Sequence, residues 1–88
     1  MSVYLDPLCQ NGWKLGKNSH MVADSDDELH AFAKRIGLKR EWFQVTRLRH
    51  YDLTAGRRAV AVRLGAIELG RREFVEKFLR NTKSHEPH

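Results

Sequence analysis

The sequence predicts a small α/β or α+β sandwich: a four-stranded, largely parallel sheet covered by about three helices, in the order β-β-α-β-α-β-α. Three observations lead there. The 88 residues are 41% apolar and 9% aromatic, enough for one core but, at roughly 100–200 residues per domain, not for two. Short runs of β-prone residues alternate with longer runs whose apolar residues recur every three to four positions. Strand–helix–strand units favour parallel strands joined by right-handed crossovers. A single domain over residues 1–80 with a polar, flexible tail at 81–88 follows.

The elements read in order as follows. Ser2 to Asp6 is a short β-prone run, stopped by Pro7, which fixes its own φ and lacks a donor N–H. Residues 8–18 carry Gly12, Gly16 and Asn18 without a period and read as a loop holding Trp13, Lys14 and Lys17. Its length is that of a lid or binding loop. His20 to Asp24 is a second strand. Ser25-Asp26-Asp27-Glu28 has the form of a capping box. Leu29, Phe32, Ala33 and Ile36 then make one apolar stripe, and Gly37 supplies the stop. Trp42, Phe43 and Val45 read as an apolar connector. Leu48 to Leu53 is a third strand, and Thr54 caps a helix from Ala55 to Leu64 that ends at Gly65. Ala66 to Leu69 is a fourth strand. Arg71 to Arg80 is a third helix, with Phe74, Val75 and Phe78 on one side.

Composition narrows the function classes. No run approaches the roughly 20 apolar residues of a membrane span, so no membrane partner is expected. Met1 to Gln10 has neither a basic start nor a long apolar run, unlike a secretory signal. Cys9 is the single cysteine and has no internal partner for a disulfide, which points to a cytoplasmic home. Charge is uneven: residues 1–33 hold two basic and five acidic side chains, and residues 34–88 hold fourteen and six. A basic second half suits an anionic small ligand, a nucleic acid or simple solubility.

With parallel strands, the carboxyl ends share one rim, where open α/β sheets bind ligands. Asp6 and Asp24 end the first two strands, and the third carries Asp52. His20, Val22 and Asp24 share a face, as do His50 and Asp52. His20, Asp24, His50 and Asp52 are therefore the candidate acid–base residues. The same four suit a divalent metal such as Zn²⁺, Mn²⁺ or Fe²⁺. No CxxC or HExxH spacing accompanies them. In the blander alternative, Asp24 and Asp52 are turn or helix-entry residues and the histidines tie neighbouring backbone.

Arg57 falls on the inner arc of its helix, beside a helix start that attracts anions. With Arg58, Thr54 and Lys17 it is a candidate phosphate or carboxylate site; an internal ion pair with Asp52 or Asp24 is the competing assignment. Trp13 is either a lid over the rim or the apolar plug of its loop. His30, four residues after Asp26, reads as a boundary histidine, Trp42 as a core or dimer residue, and Cys9 as an inert thiol. The basic clusters Lys34-Arg35, Lys39-Arg40, Arg47/Arg49, Arg57-Arg58 and Arg71-Arg72 offer phosphate contacts. No helix-turn-helix, zinc-finger or RNA-recognition signature joins them.

Tyr4-Leu5-Asp6, Ser19 to Asp24, Glu28 to Ala31, Ile36-Gly37, His50 to Leu53 and Gly65-Ala66 together resemble the pattern of a short bacterial and phage domain family, domain of unknown function 4031. The resemblance spans about residues 2–78. It implies that Asp6, His20, Asp24, His30, His50, Tyr51 and Asp52 are motif positions, and it brings no activity. Pro7 stands where many members have a second acid, so no paired acid is expected there. The expected function is binding of an anionic small ligand, phosphorylated or not, or a metal at the His/Asp/Arg rim. Asp6, Trp13, Lys17, His30, Tyr51, Arg57 and Arg58 are the ligand-binding candidates, and metal-assisted hydrolysis is the natural reaction class. The alternatives are a nucleic-acid- or protein-binding module using the basic half, and a structural accessory protein gaining stability as a homodimer.

Overall fold

The structure, a computed structural model, describes residues 2–10 and 16–80, with Arg80 as backbone only. Its strands are β1 (Val3–Leu5), β2 (Asn18–Ala23), β3 (Gln44–Val45), β4 (Arg49–Thr54) and β5 (Ile67–Glu68). Its helices are α1 (Asp26–Arg35), α2 (Ala55–Arg63) and α3 (Arg71–Phe74), the last continuing as a π-helix over Val75–Arg80. A 3-10 turn occupies Arg40–Trp42. The tail at 81–88 and the Trp13 segment lie outside the described residues.

Local chemistry sets the ends of α1 and α2. Ser25 Oγ accepts from the Glu28 N–H at 3.2 Å, and Thr54 Oγ1 accepts from the Arg57 N–H at 3.2 Å, each meeting a donor with no intrahelical partner. Both helices stop at a glycine with positive φ, +84° at Gly37 and +107° at Gly65. Past each glycine the chain donates back into the last turn, Leu38 N–H to Ala33 carbonyl at 2.9 Å and Ala66 N–H to Ala61 carbonyl at 3.0 Å. At Gly37 the Arg57 guanidinium also occupies the space a Cβ would need.

The sheet has five strands in the order β3-β4-β2-β1-β5. Every neighbouring pair is antiparallel except β1 with β5. The fold is thus mixed α+β, and the expected four-stranded, largely parallel sheet is not what forms. The difference begins at Gln44–Val45, expected as connector: it pairs with β4 as a hairpin and becomes a strand. The crossover through α1 therefore runs from β2 to β3, and β4 lies between them. The crossover through α2 runs from β4 to β5, with β2 and β1 between. Each crossover joins strands of the same direction, but never neighbours.

The two faces of the sheet differ in chemistry. Val3, Leu5, Met21, Tyr51 and Leu53 point to α1 and α2 and form the core with Leu29, Phe32, Ala33, Ile36 and Ala61. Tyr4, His20, His50 and Asp52 alternate with them and point the other way. Phe74 and Phe78 cover part of that polar face, with Phe78 5.2 Å from Tyr4 and Phe74 6.3 Å from His20 between ring centres.

Arg58 fastens the strand ends to α2. Its Nε and Nη2 donate to the Asp6 carbonyl at 3.1 and 2.9 Å, and its Nη1 donates to Glu68 Oε1 at 2.9 Å. The side chain is 14% exposed, so its removal takes two donors from the part-buried Asp6 carbonyl. Arg58→Ala is expected to lower unfolding free energy by about 2–3 kcal/mol, the scale of hydrogen bonds to a charged group. Arg72→Ala, at a side chain 90% exposed, should stay within about 0.5 kcal/mol. Urea titration of both variants checks this; equal effects would remove Arg58 from its structural role.

Candidate metal centre

The antiparallel register of β2 and β4 sets His20 directly opposite Asp52. His50 lies two residues before Asp52 on the same face, so it is the diagonal neighbour of His20. The rings meet edge to face with centres 5.0 Å apart. His20 Nε2 is 3.8 Å and His50 Nε2 3.4 Å from the same oxygen, Asp52 Oδ1. These three residues offer donor atoms that all lie within 4.8 Å of one another, a spacing that an ion can bridge.

Each ring is held from behind. His20 Nδ1 lies 2.7 Å from Asp6 Oδ2, while the His20 backbone N–H donates to Asp6 Oδ1 at 2.6 Å. Ser19 Oγ sits 2.7 Å from the Asp6 carbonyl and 3.0 Å from its Oδ1. His50 Nδ1 is 2.9 Å from the Leu48 carbonyl. Asp52 is steadied by Gln44, directly across from His50, whose Nε2 donates to Oδ2 at 2.6 Å. Asn18 Nδ2 reaches Asp52 Oδ1 at 3.5 Å, and its own Oδ1 is buried with no donor among the described residues. Turning that amide over would set two oxygens against each other.

The protonation states follow from these contacts. The hydrogen bond with Asp6 raises the His20 pKa against the opposing effect of burial; the charges of Asp6 and Asp52 add to the rise, and Arg71 subtracts from it. Burial pushes the Asp6 carboxyl up, but the hydrogen bonds from His20 and Ser19 together outweigh it, and Asp6 titrates below its ordinary value. Asp52 is also lowered, first by its hydrogen bond with His50, against burial, and then by Gln44.

A cavity of about 330 Å³ opens over His20 and His50. Thr46, Arg47 and Leu48 of the β3–β4 turn form one wall, and Cys9, Arg71, Phe74 and Val75 form another. Arg71 Nη2 donates to Cys9 Sγ at 3.2 Å. Arg47 and Arg71 thus border a hollow floored by imidazoles.

The family model described as protein of unknown function (DUF4031) matches residues 3–81. This chain belongs to that family. No curated protein and no solved structure matches it. The match takes in Asp6, His20, His50 and Asp52.

The sequence-predicted residues separate into groups. Asp6, His20, His50 and Asp52 come together. Asp24 does not: β2 runs opposite to β1 and β4, so its carboxyl end lies at the far rim, where Asp24 Oδ2 accepts from the Ser2 N–H at 2.9 Å. His30 and Tyr51 form their own pair at 2.9 Å under α1, on the opposite face, with Phe43 against the His30 ring. Arg57 Nη1 donates to the Ile36 carbonyl and closes the end of α1, in place of the expected ion pair with Asp52 or Asp24; with Thr54 it borders a separate cavity. Arg58 binds the fold together rather than facing the cavity. Lys17 is exposed and outside the cavity walls, and Trp13 lies outside the described residues.

Gln44 and Asn18 were not singled out by sequence, and Arg47 and Arg71 were read only as members of basic clusters offering phosphate contacts. Asn18 shares the period-two face of His20, which starting β2 two residues earlier would have revealed.

The raised His20 value has a consequence for the metal-free protein. A group whose folded pKa is raised contributes its stability fully below the unfolded value, about 6.5, and loses it as pH climbs through the folded value. The difference in thermal midpoint between wild type and Asp6→Asn, followed from pH 6 to 9 in chelator, should narrow as pH rises. A constant difference would mean that the Asp6–His20 pair stabilises without its charges.

Proposed function

We propose that the protein binds a divalent transition metal through His20 Nε2, His50 Nε2 and Asp52 Oδ1 and uses it to hydrolyse a small phosphorylated substrate, whose charge is met by Arg71 and Arg47. One observation carries this reading. Both imidazoles turn Nε2 to a single Asp52 oxygen, while both Nδ1 atoms are held by oxygen acceptors, the Asp6 carboxylate and the Leu48 carbonyl. Metal-binding histidines carry that arrangement, with the far nitrogen tied to a carboxylate or carbonyl that sets tautomer and orientation. Two imidazoles and one carboxylate suit Zn²⁺, Mn²⁺ or Fe²⁺ and leave coordination positions open. The buried Asn18 Oδ1 adds support: an acceptor without a donor costs about 1–3 kcal/mol, and water on an ion beside Asp52 would supply that donor.

A bound ion would bring its water to a pKa near about 7 and polarise the phosphoryl oxygen. The chain supplies the rest. Asp6 and the Leu48 carbonyl hold the rings, the two arginines offset the negative charge of the phosphoryl group, and Phe74 and Val75 keep bulk water from one side. Hydrolysis joins the water oxygen to phosphorus and breaks the bond to the leaving oxygen, which takes the water's proton.

A free basic surface on the second half of the chain is less well supported. Arg57 and Arg58 are spent inside the fold, and Arg49 makes a bidentate pair with Asp26, its Nη2 2.6 Å from Oδ2.

Titration calorimetry with Zn²⁺, Mn²⁺ and Co²⁺ tests the metal centre. Wild type should bind one equivalent, Asp6→Asn should bind about 10–100-fold more weakly, and His50→Ala should lose the site. Asp24→Asn, at the far rim, should bind like wild type. No saturable binding by wild type, or equal binding by His50→Ala, would overturn the reading.

A further inference from the structure

A second cavity, of about 570 Å³, lies on the other side of Asp52. Its walls include Leu38, Glu41, Trp42, Gln44, Asp52 and Arg57. Trp42 is 46% exposed, a large aromatic surface left in water. Its ring carries the Lys39 ammonium at 5.7 Å. The volume lies within the roughly 300–1,000 Å³ of small-molecule sites, which are mostly apolar with a few convergent polar groups.

From this arrangement we infer that the cavity receives a nucleobase, stacked on Trp42, and that the ligand of the neighbouring cluster is a base joined to a phosphate. The inference rests on the metal reading for the phosphate end alone. Asp52 ties the two ends together: its Oδ1 faces the imidazoles, its Oδ2 is held by Gln44, and the same side chain is a wall of the Trp42 cavity. A base on Trp42 would thus lie across one carboxylate from the position of the ion. Stacking on an exposed indole suits any base, because every base has a π-face. The wall also holds groups for a base edge: the Glu41 carboxylate accepts from ring amino groups, and the Gln44 amide oxygen is free of the bond to Asp52. Leu38 gives apolar contact. The Lys39 ammonium sets a positive charge beside Trp42.

Binding to the full chain in Mn²⁺ separates the two ends. The probes are adenosine, adenosine 5′-monophosphate, ribose 5-phosphate and a short single-stranded oligonucleotide. The mononucleotide should bind about 10–100-fold more tightly than ribose 5-phosphate, the range expected of one stacked base. Trp42→Ala should erase that advantage and leave ribose 5-phosphate binding unchanged; Trp42→Phe should keep part of it. Circular dichroism confirms that the variants fold. A quench of fluorescence in a Trp13→Phe background that adenosine 5′-monophosphate produces and ribose 5-phosphate does not would place the base at the indole. If the oligonucleotide binds more tightly than the mononucleotide and still needs Trp42, the base belongs to a strand; the reverse order assigns a free nucleotide. Adenosine binding that needs Trp42 but survives His50→Ala would support the base site even if no ion binds. Equal affinities for the mononucleotide and ribose 5-phosphate, or equal losses of both on Trp42→Ala, overturn the inference.

Discussion

The register between β2 and β4 is the constraint on which the site depends. His20 stands across from Asp52 only in that register, and a slip of one residue would turn the slipping strand's side chains to the wrong face. The polar residues do not hold it. On the opposite face Met21 and Leu53 are fully buried and Tyr51 nearly so, and burying an apolar side chain of this size is worth about 1.5–3 kcal/mol. Those residues must meet α1 and α2. Alternation along the strand then sends His20, His50 and Asp52 to the other side without any attraction among themselves.

Gathering two imidazoles and two carboxylates on one partly covered face carries a desolvation cost, and the fold offsets it with a chain of hydrogen bonds. Arg58 holds the Asp6 carbonyl, Ser19 and the His20 backbone hold the Asp6 carboxylate, and Asp6 in turn holds His20. His50 depends on a turn carbonyl, and Asp52 on the partner strand's Gln44. The groups that fix orientation are therefore drawn from the residue after β1, from β2, β3 and α2, and from the β3–β4 turn. Neighbouring arginines on α2 illustrate how different such tasks can be: Arg57 closes the end of α1, and Arg58 locks the strand ends on the other side of the helix.

Several features were legible because their causes are local. Capping serine and threonine, terminating glycines and the apolar stripe of α1 act within a turn or two of chain, and the structure bears them out. The pairing of strands was not local. Gln44–Val45 is two residues long and exposed, so it carries no alternating pattern to announce a strand. Once it forms, the α1 crossover ends on it, β4 lies between that crossover's two strands, and β4 pairs antiparallel with both. Asp24 was misplaced for the same reason. A carboxylate at the end of β2 shares a rim with Asp6 only if β1 and β2 run together, and they run in opposite directions.

Residue order alone thus determined α1, α2 and their ends, and which side chains of a given strand share a face, because these follow from backbone geometry and short-range hydrogen bonds. Family membership was equally readable, since its motifs are runs of sequence. Only the folded chain decided which faces meet. It joined Asp6, His20, His50 and Asp52, sent Asp24 to the far rim, and put His30 and Tyr51 beneath α1. It also brought Arg71 and Arg47 to the same hollow. Those outcomes depend on strand direction and order, which are set by how the whole apolar surface is buried and not by any single segment.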